Sequence, residues 1–395
     1  MALSFTIPGG LVQLSGNSIW IKVAGAVAPA LSTNYKVLLR ITSSDGQLRG
    51  GPFVDGEIPY PDGTAEFNIS ALVDKPFAPL FEWPLSTASY GYSAAAWNVL
   101  IEIGETYIDS SRQRIIHYNA DDGSIPEGEM IQIIKGGISE NKIGLYNETH
   151  TTFFDQIIAK GKFLTNQPSG IKLSYNQPVK LFLISPYTEN TNIDIITTAY
   201  YADGSTQVYT EHTELWLDGM FEYTMHPKHL GIPAVKTGSP MVKFTIEWGD
   251  PATVGDIREY IIDTKYHEIE TYIIFSNSKG GVDIIRCTGS IKKATDTTSA
   301  EGVQSLDETS TSRTPQVIRT AISSRKKFSI NTGFKSAAEI EALEDLYLSQ
   351  NIWIVVGQNL YPLVIEDGNF LLSDSMEEVH SAELTFKSAY IKRHF

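Results

Sequence analysis

The stretch from Tyr272 to Gly289, YIIFSNSKGGVDIIRCTG, constrains the fold of this chain more than any other. An apolar run, Ile273-Ile274-Phe275, enters a polar turn from Ser276 to Gly281, and a second run with Val282, Ile284 and Ile285 leaves it. Apolar runs separated by Asn, Ser and paired Gly predict a β-hairpin, because Gly supplies the positive φ angles that a tight turn needs. Asn277, Gly280, Gly281 and Asp283 are therefore structural turn candidates, the glycines for backbone geometry and the polar pair for turn hydrogen bonds. Gly136 and Gly137, which end the apolar run Met130 to Ile134, form a second such pair.

The same grammar of short β-rich runs and turn signals fills most of the sequence. Ser18–Val23, Tyr35–Ile41, Ala65–Ile69 and Trp97–Ile103 alternate or run apolar between the turns Ser44-Asp45-Gly46 and Pro61-Asp62-Gly63. They predict a β-sandwich over 1–110. Val179–Ile184, Ile193–Tyr201, Gln207–Thr210, His212–Leu217, Phe221–Met225 and Val242–Trp248 predict a second over 111–265, with Ala202-Asp203-Gly204-Ser205 as a hairpin turn. Thr151–Lys160 places Phe154, Ile157 and Ile158 on one helical face, as a short helix would.

Residues 266–395 read as a small α+β domain. Its one helix is expected from Ser336 to Gln350, with Ser336 as cap, Glu339 completing a capping box, and Ile340, Leu343, Leu346 and Tyr347 as its buried stripe. Strands follow at Trp353–Val356, Tyr361–Ile365 and Ala382–Phe386. Ala294 to Pro315 is dominated by Thr, Ser, Asp and Glu and cannot build a core. It is expected to be either a mobile loop or an arm that orders on a partner. The expected fold class is thus mainly β, two sandwich-like domains followed by the α+β domain.

Charge and cysteine content exclude several functions. Formal net charge is −15, which disfavours tight binding to a phosphate backbone but suits a passage that DNA must traverse without sticking. One cysteine, Cys287, forbids an intramolecular disulfide and, with no histidine nearby in sequence, reads as a core or interface thiol. The N-terminal residues lack a basic and apolar leader pattern, and no run approaches a membrane span, so synthesis in the cytoplasm without membrane insertion is expected.

Catalytic patterns are weak. His226 and His229 are three apart but flank Pro227, which disfavours a regular helix presenting both to a metal. His212, Glu214 and Trp216 would share a strand face, as a sugar site might require, though packing explains such a group more often. The acidic pairs Asp121-Asp122 and Glu377-Glu378 lie in polar turns, where solvated charge is the default. Lys135-Gly136-Gly137 and Lys279-Gly280-Gly281 lack the Lys-Ser/Thr ending of a phosphate loop, and no G-x-S-x-G turn is present. No catalytic residue, metal ligand or cofactor is expected.

Several patterns, in order, resemble tail or baseplate structural proteins from phages and prophages of Bacteroidetes. They are Lys135-Gly136-Gly137-Ile138, Lys162 to Pro168, Tyr260-Ile261-Ile262-Asp263, the hairpin Phe275 to Asp283 with Thr288-Gly289, Phe328 to Phe334, Tyr347-Leu348-Ser349, and Leu363 to Gly368. The resemblance spans roughly residues 130–395, with a looser likeness before it. It implies a non-enzymatic virion component of the tail, baseplate or neck, assembled in the host cytoplasm. It also implies a ring of copies meeting other tail or neck proteins. A glycan-binding adhesin, with an aromatic platform near Trp216 or Tyr200 and Tyr201, is the competing expectation; a polysaccharide-degrading enzyme is a third. The discriminating features are self-assembly, an exposed aromatic platform, or a cleft with facing carboxylates.

Overall fold

Period-two patterning in the sequence becomes period-two burial in a computed structural model of the chain. Along Ala96–Ile108, Trp97, Val99, Ile101 and Ile103 point inward, and Val37, Leu39 and Ile41 do the same on the neighbouring strand. The structure describes the chain apart from residues 1–2, 8–11, 29–31, 44–52, 75–88, 93–95, 119–127, 140–156, 185–190, 216–219, 250–253, 307, 309, 312, 314, 358, 367–379 and 395. It is mainly β, with several sheets and a small helical part near the C-terminus.

The first layered unit contains β1 (Ser4–Thr6), β2 (Val12–Leu14), β3 (Trp20–Ala24), β4 (Thr33–Ser43), β5 (Phe53–Glu57) and β6 (Ala65–Asn68). It continues, after β7 (Ser89–Tyr92), with β8 (Ala96–Ile108), β9 (Arg114–Tyr118) and β10 (Glu129–Ile134). Sheet β1-β3-β6 faces sheet β2-β10-β8-β4-β5, with β9 added on β8. Ile19, Ile21, Val23 and Phe67 from one side meet Val37, Leu39, Val99, Ile101, Ile131 and Ile133 from the other, giving a sandwich core.

The second unit holds β11 (Ile171–Leu173), β12 (Val179–Ile184), β13 (Thr191–Tyr201), β14 (Thr206–Leu215), β15 (Met220–Met225), β16 (Val235–Lys236), β17 (Ser239–Gly249) and β18 (Val254–Ile262). Sheet β11-β18-β17-β13-β14 covers sheet β12-β15-β7 across a core with Leu181, Leu183, Phe221, Tyr223, Ile195, Phe244, Ile246 and Trp248. The expected strands 207–210 and 212–217 are one continuous β14, because the ladder to β13 runs unbroken from Thr206 to Leu215.

The third unit is a sheet of β19 (Thr271–Ser276), β20 (Val282–Cys287), β21 (Ile291–Val303), β22 (Val317–Asn331), β23 (Ile352–Val356), β24 (Asn359–Ile365), β25 (Glu383–Ser388) and β26 (Lys392–His394). Its order is β20-β19-β23-β24-β25-β22-β21, with β26 on β22. Ile273, Phe275, Ile330, Ile354, Leu384 and Phe386 face Ile340, Leu343 and Leu346 of the helical segment.

Several sequence expectations change here. Residue 110 does not bound a sheet, since β10 pairs with β8 from Glu129 to Ile134 and β7 crosses to pair with β15. The helix expected over 336–350 is two short ones, Ala337–Glu341 and Glu344–Leu348, around Ala342-Leu343. There the Leu343 amide reaches only three residues back, to Ile340, tightening the turn. The tract 294–315 is no irregular loop over its first half. Ala294–Val303 belongs to β21, whose ladder with β22 runs from Ile291–Ile330 to Val303–Val317. A two-stranded ribbon wet on both faces satisfies its backbone without a core, so a polar composition does not forbid it. The expected helix over 151–160 lies mostly outside the described residues, as do the carboxylate pairs 121–122 and 377–378.

A fourth apolar cluster joins the units. Leu14 and Ile134 come from the first, Phe182, Ile184 and Met220 from the second, and Ile274, Val282, Ile284 and Val355 from the third. Strands β12 and β20 are buried at every residue because each has one face in its own unit and the other in this junction.

Candidate functional site

All six turn candidates meet at the junction. Asn277 organises the β19–β20 turn: its Oδ1 accepts from the Lys279 amide (3.0 Å) and the Gly281 amide (2.9 Å), and its backbone amide donates to Gly281 O (2.9 Å). Its Nδ2 donates outward to Leu164 O (2.9 Å) and to Asp283 Oδ2 (3.0 Å). Asp283 Oδ1 accepts from the Thr165 hydroxyl at 2.6 Å. The carboxyl of Asp283 is enclosed, and burial pushes it up to about 6 although the Thr165 and Asn277 hydrogen bonds pull the other way.

Glycine is required where this turn meets the first unit. The Gly137 amide donates to Ser278 O (2.8 Å), and a Cβ on Gly136 would lie 2.5 Å from that oxygen. Gly280 has φ of 92°, and a Cβ there would strike Ile134 and approach Lys135 O to 2.9 Å. The Gly16 amide continues the chain of contacts to Gly136 O (2.6 Å). Asp345, in the second short helix, accepts from the Ser278 amide and hydroxyl (both 3.2 Å) and from Asn166 Nδ2. Segments distant in sequence are thereby fastened by backbone groups and enclosed polar side chains.

A cleft of about 180 Å³ opens beside the glycines, lined by Ser15, Asp74, Lys135, Ser278, Asp345 and Gln350 among others. Its ionic groups engage one another: Lys135 Nζ lies 2.6 Å from Asp74 Oδ1, which also accepts from Ser15 Oγ at 2.7 Å. The arrangement braces the junction.

Other sequence candidates stand apart from it. His226 and His229 pack with centroids 3.6 Å apart and rings tilted by 33°, and burial, then His229 and Lys228, lower His226 to about 4. A neutral imidazole pair results. Among the described residues no group of three or more His, Cys, Asp or Glu is arranged to hold a metal ion. His212 is exposed and pairs with Asp194 at 2.6 Å. Trp216 lies outside the described residues, while Tyr201 is buried, its hydroxyl on Pro233 O at 3.0 Å, so it presents no aromatic platform. Lys243 sits 5.0 Å over the ring of Tyr200. Cys287 is fully enclosed, and burial pushes its thiol up to about 12.

The capping box forms at Ser336: its hydroxyl accepts from the Glu339 amide (3.3 Å) while Glu339 Oε2 accepts from the Ser336 amide (3.0 Å). Sequence reading missed Arg286, a buried cation bridging Asp263 (2.8 Å) and Glu270 (2.7 Å). Burial alone would raise Asp263, but hydrogen bonds from His267, the Lys265 amide and Arg286 outweigh it and hold the carboxyl at about 2.

The second feature of functional interest is the β21–β22 ribbon. Beyond Ile322, where β26 ends its cover of β22, β21 and β22 pair only with each other among the described residues. A bulge between Thr298 and Ala300 and a φ of 49° at Ala321 re-aim the outer part. Near its end Val303 and Val317 are cross-strand partners and are 77% and 53% exposed, with Leu306 47% exposed beyond them. These apolar side chains stand in water on a two-stranded ribbon.

The sequence matches no protein-family model and has no significant match among curated proteins.

Proposed function

We propose that this chain is a non-enzymatic virion structural protein, a ring-forming adaptor of a phage tail, baseplate or tail tip. The observation that carries the reading is the pairing of a braced body with a projecting ribbon. The glycine junction locks parts of the three units by backbone-to-backbone contact, and the ribbon then extends past the last supporting strand with apolar residues at its end. Heterologous contacts between copies, repeated around an axis, close into rings, and an extended edge ribbon is a natural donor for such a contact. The formal charge of −15 suits a channel that lets DNA pass without adhering. The ordered motifs that resemble those of tail and baseplate proteins support the virion reading, and several of them converge on the junction.

The test has two readouts. The full chain is concentrated and imaged by negative-stain electron microscopy, and purified particles from a host carrying the gene are analysed by mass spectrometry. Rings or regular oligomers, and the chain among the particle proteins, are the expected results. A chain that stays monomeric at high concentration and is absent from particles overturns the assignment.

A further inference from the structure

The helices cover only part of the third sheet's core face. Ile330, Leu384 and Phe386 pack with Ile340, Leu343 and Leu346. The same face of β22 runs on through Phe328, Lys326 and Ser324, two residues at a time. There a groove of about 960 Å³ opens, at the upper end of what ligand pockets span. Strand residues and the chain around Tyr390 line it, rather than the helices. Phe328 and Leu363 are the buried part of its lining, while Tyr361 and Tyr390 stand 44% and 67% exposed. Its cations are Lys326, Lys293 opposite Phe328, and Lys392 opposite Ser324. All three are exposed and have no ion-pair partner among the described residues. The neighbouring carboxylates belong to the other face of the sheet. Asp296 lies opposite Arg325 and pairs with Lys387, and Glu366 pairs with Lys327 and Lys387, all out of phase with Lys326 along their strands. No carboxylate lines the groove among the described residues. On a chain of net charge −15 this cluster of free ammonium groups and open tyrosine rings stands out.

We infer that this groove binds an acidic polysaccharide, a chain of sugar rings that carry carboxylates. The C–H face of a sugar ring lies flat on a tyrosine ring, which is apolar across its body and polar at its tip. The hydroxyls of Ser324, Ser388 and Thr295, also in the lining, both donate and accept, as a sugar's own hydroxyls do. The three ammonium groups take the carboxylates in charge-assisted hydrogen bonds. Single-stranded nucleic acid also joins rings to anions, but two observations favour the sugar chain. No arginine, the cation whose planar fork matches a phosphate, lines the groove among the described residues. A phosphate on every nucleotide also meets the repulsion of a chain at −15 with only three lysines to offset it, whereas an acidic polysaccharide is more sparsely charged. The site is separate from the strand that holds Tyr200 and Tyr201, where the sequence placed an aromatic platform and where Tyr201 is buried. It adds a ligand to the adaptor reading without depending on assembly, since one copy supplies the whole lining.

The test is affinity electrophoresis of the full chain in native gels containing polygalacturonate, alginate or hyaluronate, with neutral dextran and a thymidine oligonucleotide for comparison. Retardation by at least one of the three carboxylated polymers, and none by dextran, is expected. Lys326→Glu with Lys392→Glu is expected to weaken that binding about tenfold, as charge reversal at a contact does. Tyr390→Ala, which leaves every lysine in place, is expected to weaken it about fivefold by removing a stacking ring. Lys228→Glu, an exposed lysine outside the groove, is expected to change nothing. Each variant is compared at a Tm matching wild type, which these exposed positions permit. Failure of all three polymers to retard the wild-type chain overturns the inference. So does retardation that Tyr390→Ala leaves intact, or that Lys228→Glu weakens equally, because either would be ion exchange by the chain's lysines at large. Tighter, lysine-dependent binding of the oligonucleotide than of any polysaccharide assigns the groove to nucleic acid and also overturns it.

Discussion

Replacing Asp283 with Asn isolates the energetics of the junction. The carboxyl is enclosed and raised from 3.8 to about 6, chiefly by burial. A carboxyl raised in the folded state binds its proton more tightly there than in the unfolded chain, so its stabilising contribution is full below the unfolded value and is lost as pH rises through about 6. A shift of roughly 2 units corresponds to about 3 kcal/mol at ~1.4 kcal/mol per unit. For a chain of 395 residues unfolding as one unit, an entropy of ~2.1 cal/mol/K per residue converts this to about 3–4 °C in Tm. Asn resembles the protonated acid: it is neutral, offers one acceptor to Asn277 Nδ2, and can donate to a rotated Thr165 hydroxyl. The difference in Tm between Asp283→Asn and wild type should therefore shift in the variant's favour by about 3 °C between pH 4 and pH 7.5, most of the full effect, since pH 4 already lies just above the unfolded value. Scanning calorimetry at half-unit steps reads it directly. A difference that stays constant across that range refutes the argument, because the charge would then be solvated or matched by a cation.

Further outcomes follow from the same geometry. Gly280→Ala adds a Cβ against Ile134 and Lys135 O at φ 92°, and should cost about 3 kcal/mol or more from overpacking and backbone strain together. Gly204→Ala serves as its control, since φ is 83° but no atom lies within 4 Å, so only the conformational cost of about 1 kcal/mol should appear in denaturant titration. Cys287 should resist a thiol reagent at pH 8 in the folded chain and react at once in guanidinium, as its enclosure and a thiol pushed up to about 12 require. Ser336→Ala removes the capping-box acceptor and should lower stability by ~1 kcal/mol.

Local chemistry was legible in the sequence where it needed few partners. The hairpin at Asn277–Gly281 follows from turn residues between apolar runs, and the register Ser276–Val282 realises it. Ser336 and Glu339 announce a cap because the motif is completed within one turn. What pattern reading could not reach was the destination of these parts. Gly136 and Gly280 are 144 positions apart, yet a Cβ on Gly136 would lie 2.9 Å from the Gly280 amide nitrogen. Nothing in either local run encodes that distance. Arg286 escaped notice for a related reason: a cation inside an apolar strand is explained only when Asp263 and Glu270 arrive from elsewhere. The ribbon was misread because core-forming composition was taken as a condition for strand. Backbone pairing alone meets that condition when both faces remain in water.

On the proposed reading an adaptor combines firmness with a means of grasping, and in this chain the braced junction and the projecting ribbon are separate features. At the junction, side chains are minimised: Gly136, Gly137, Gly280 and Gly281 let backbones touch, while Asn277 and Asp283 are enclosed and bonded in three directions. Such a contact has little freedom to slide, because moving any partner strands a buried polar group. The apolar junction core, with Phe182, Ile274 and Ile284, resists separation of the units for the complementary reason that it would expose apolar surface. The ribbon end has the reverse character, with solvent around Val303 and Val317 and no third strand among the described residues. On the adaptor reading a partner supplies packing to this end, and the energy of docking is released only on assembly. On the same reading, the acidic charge of the body then keeps unassembled copies apart.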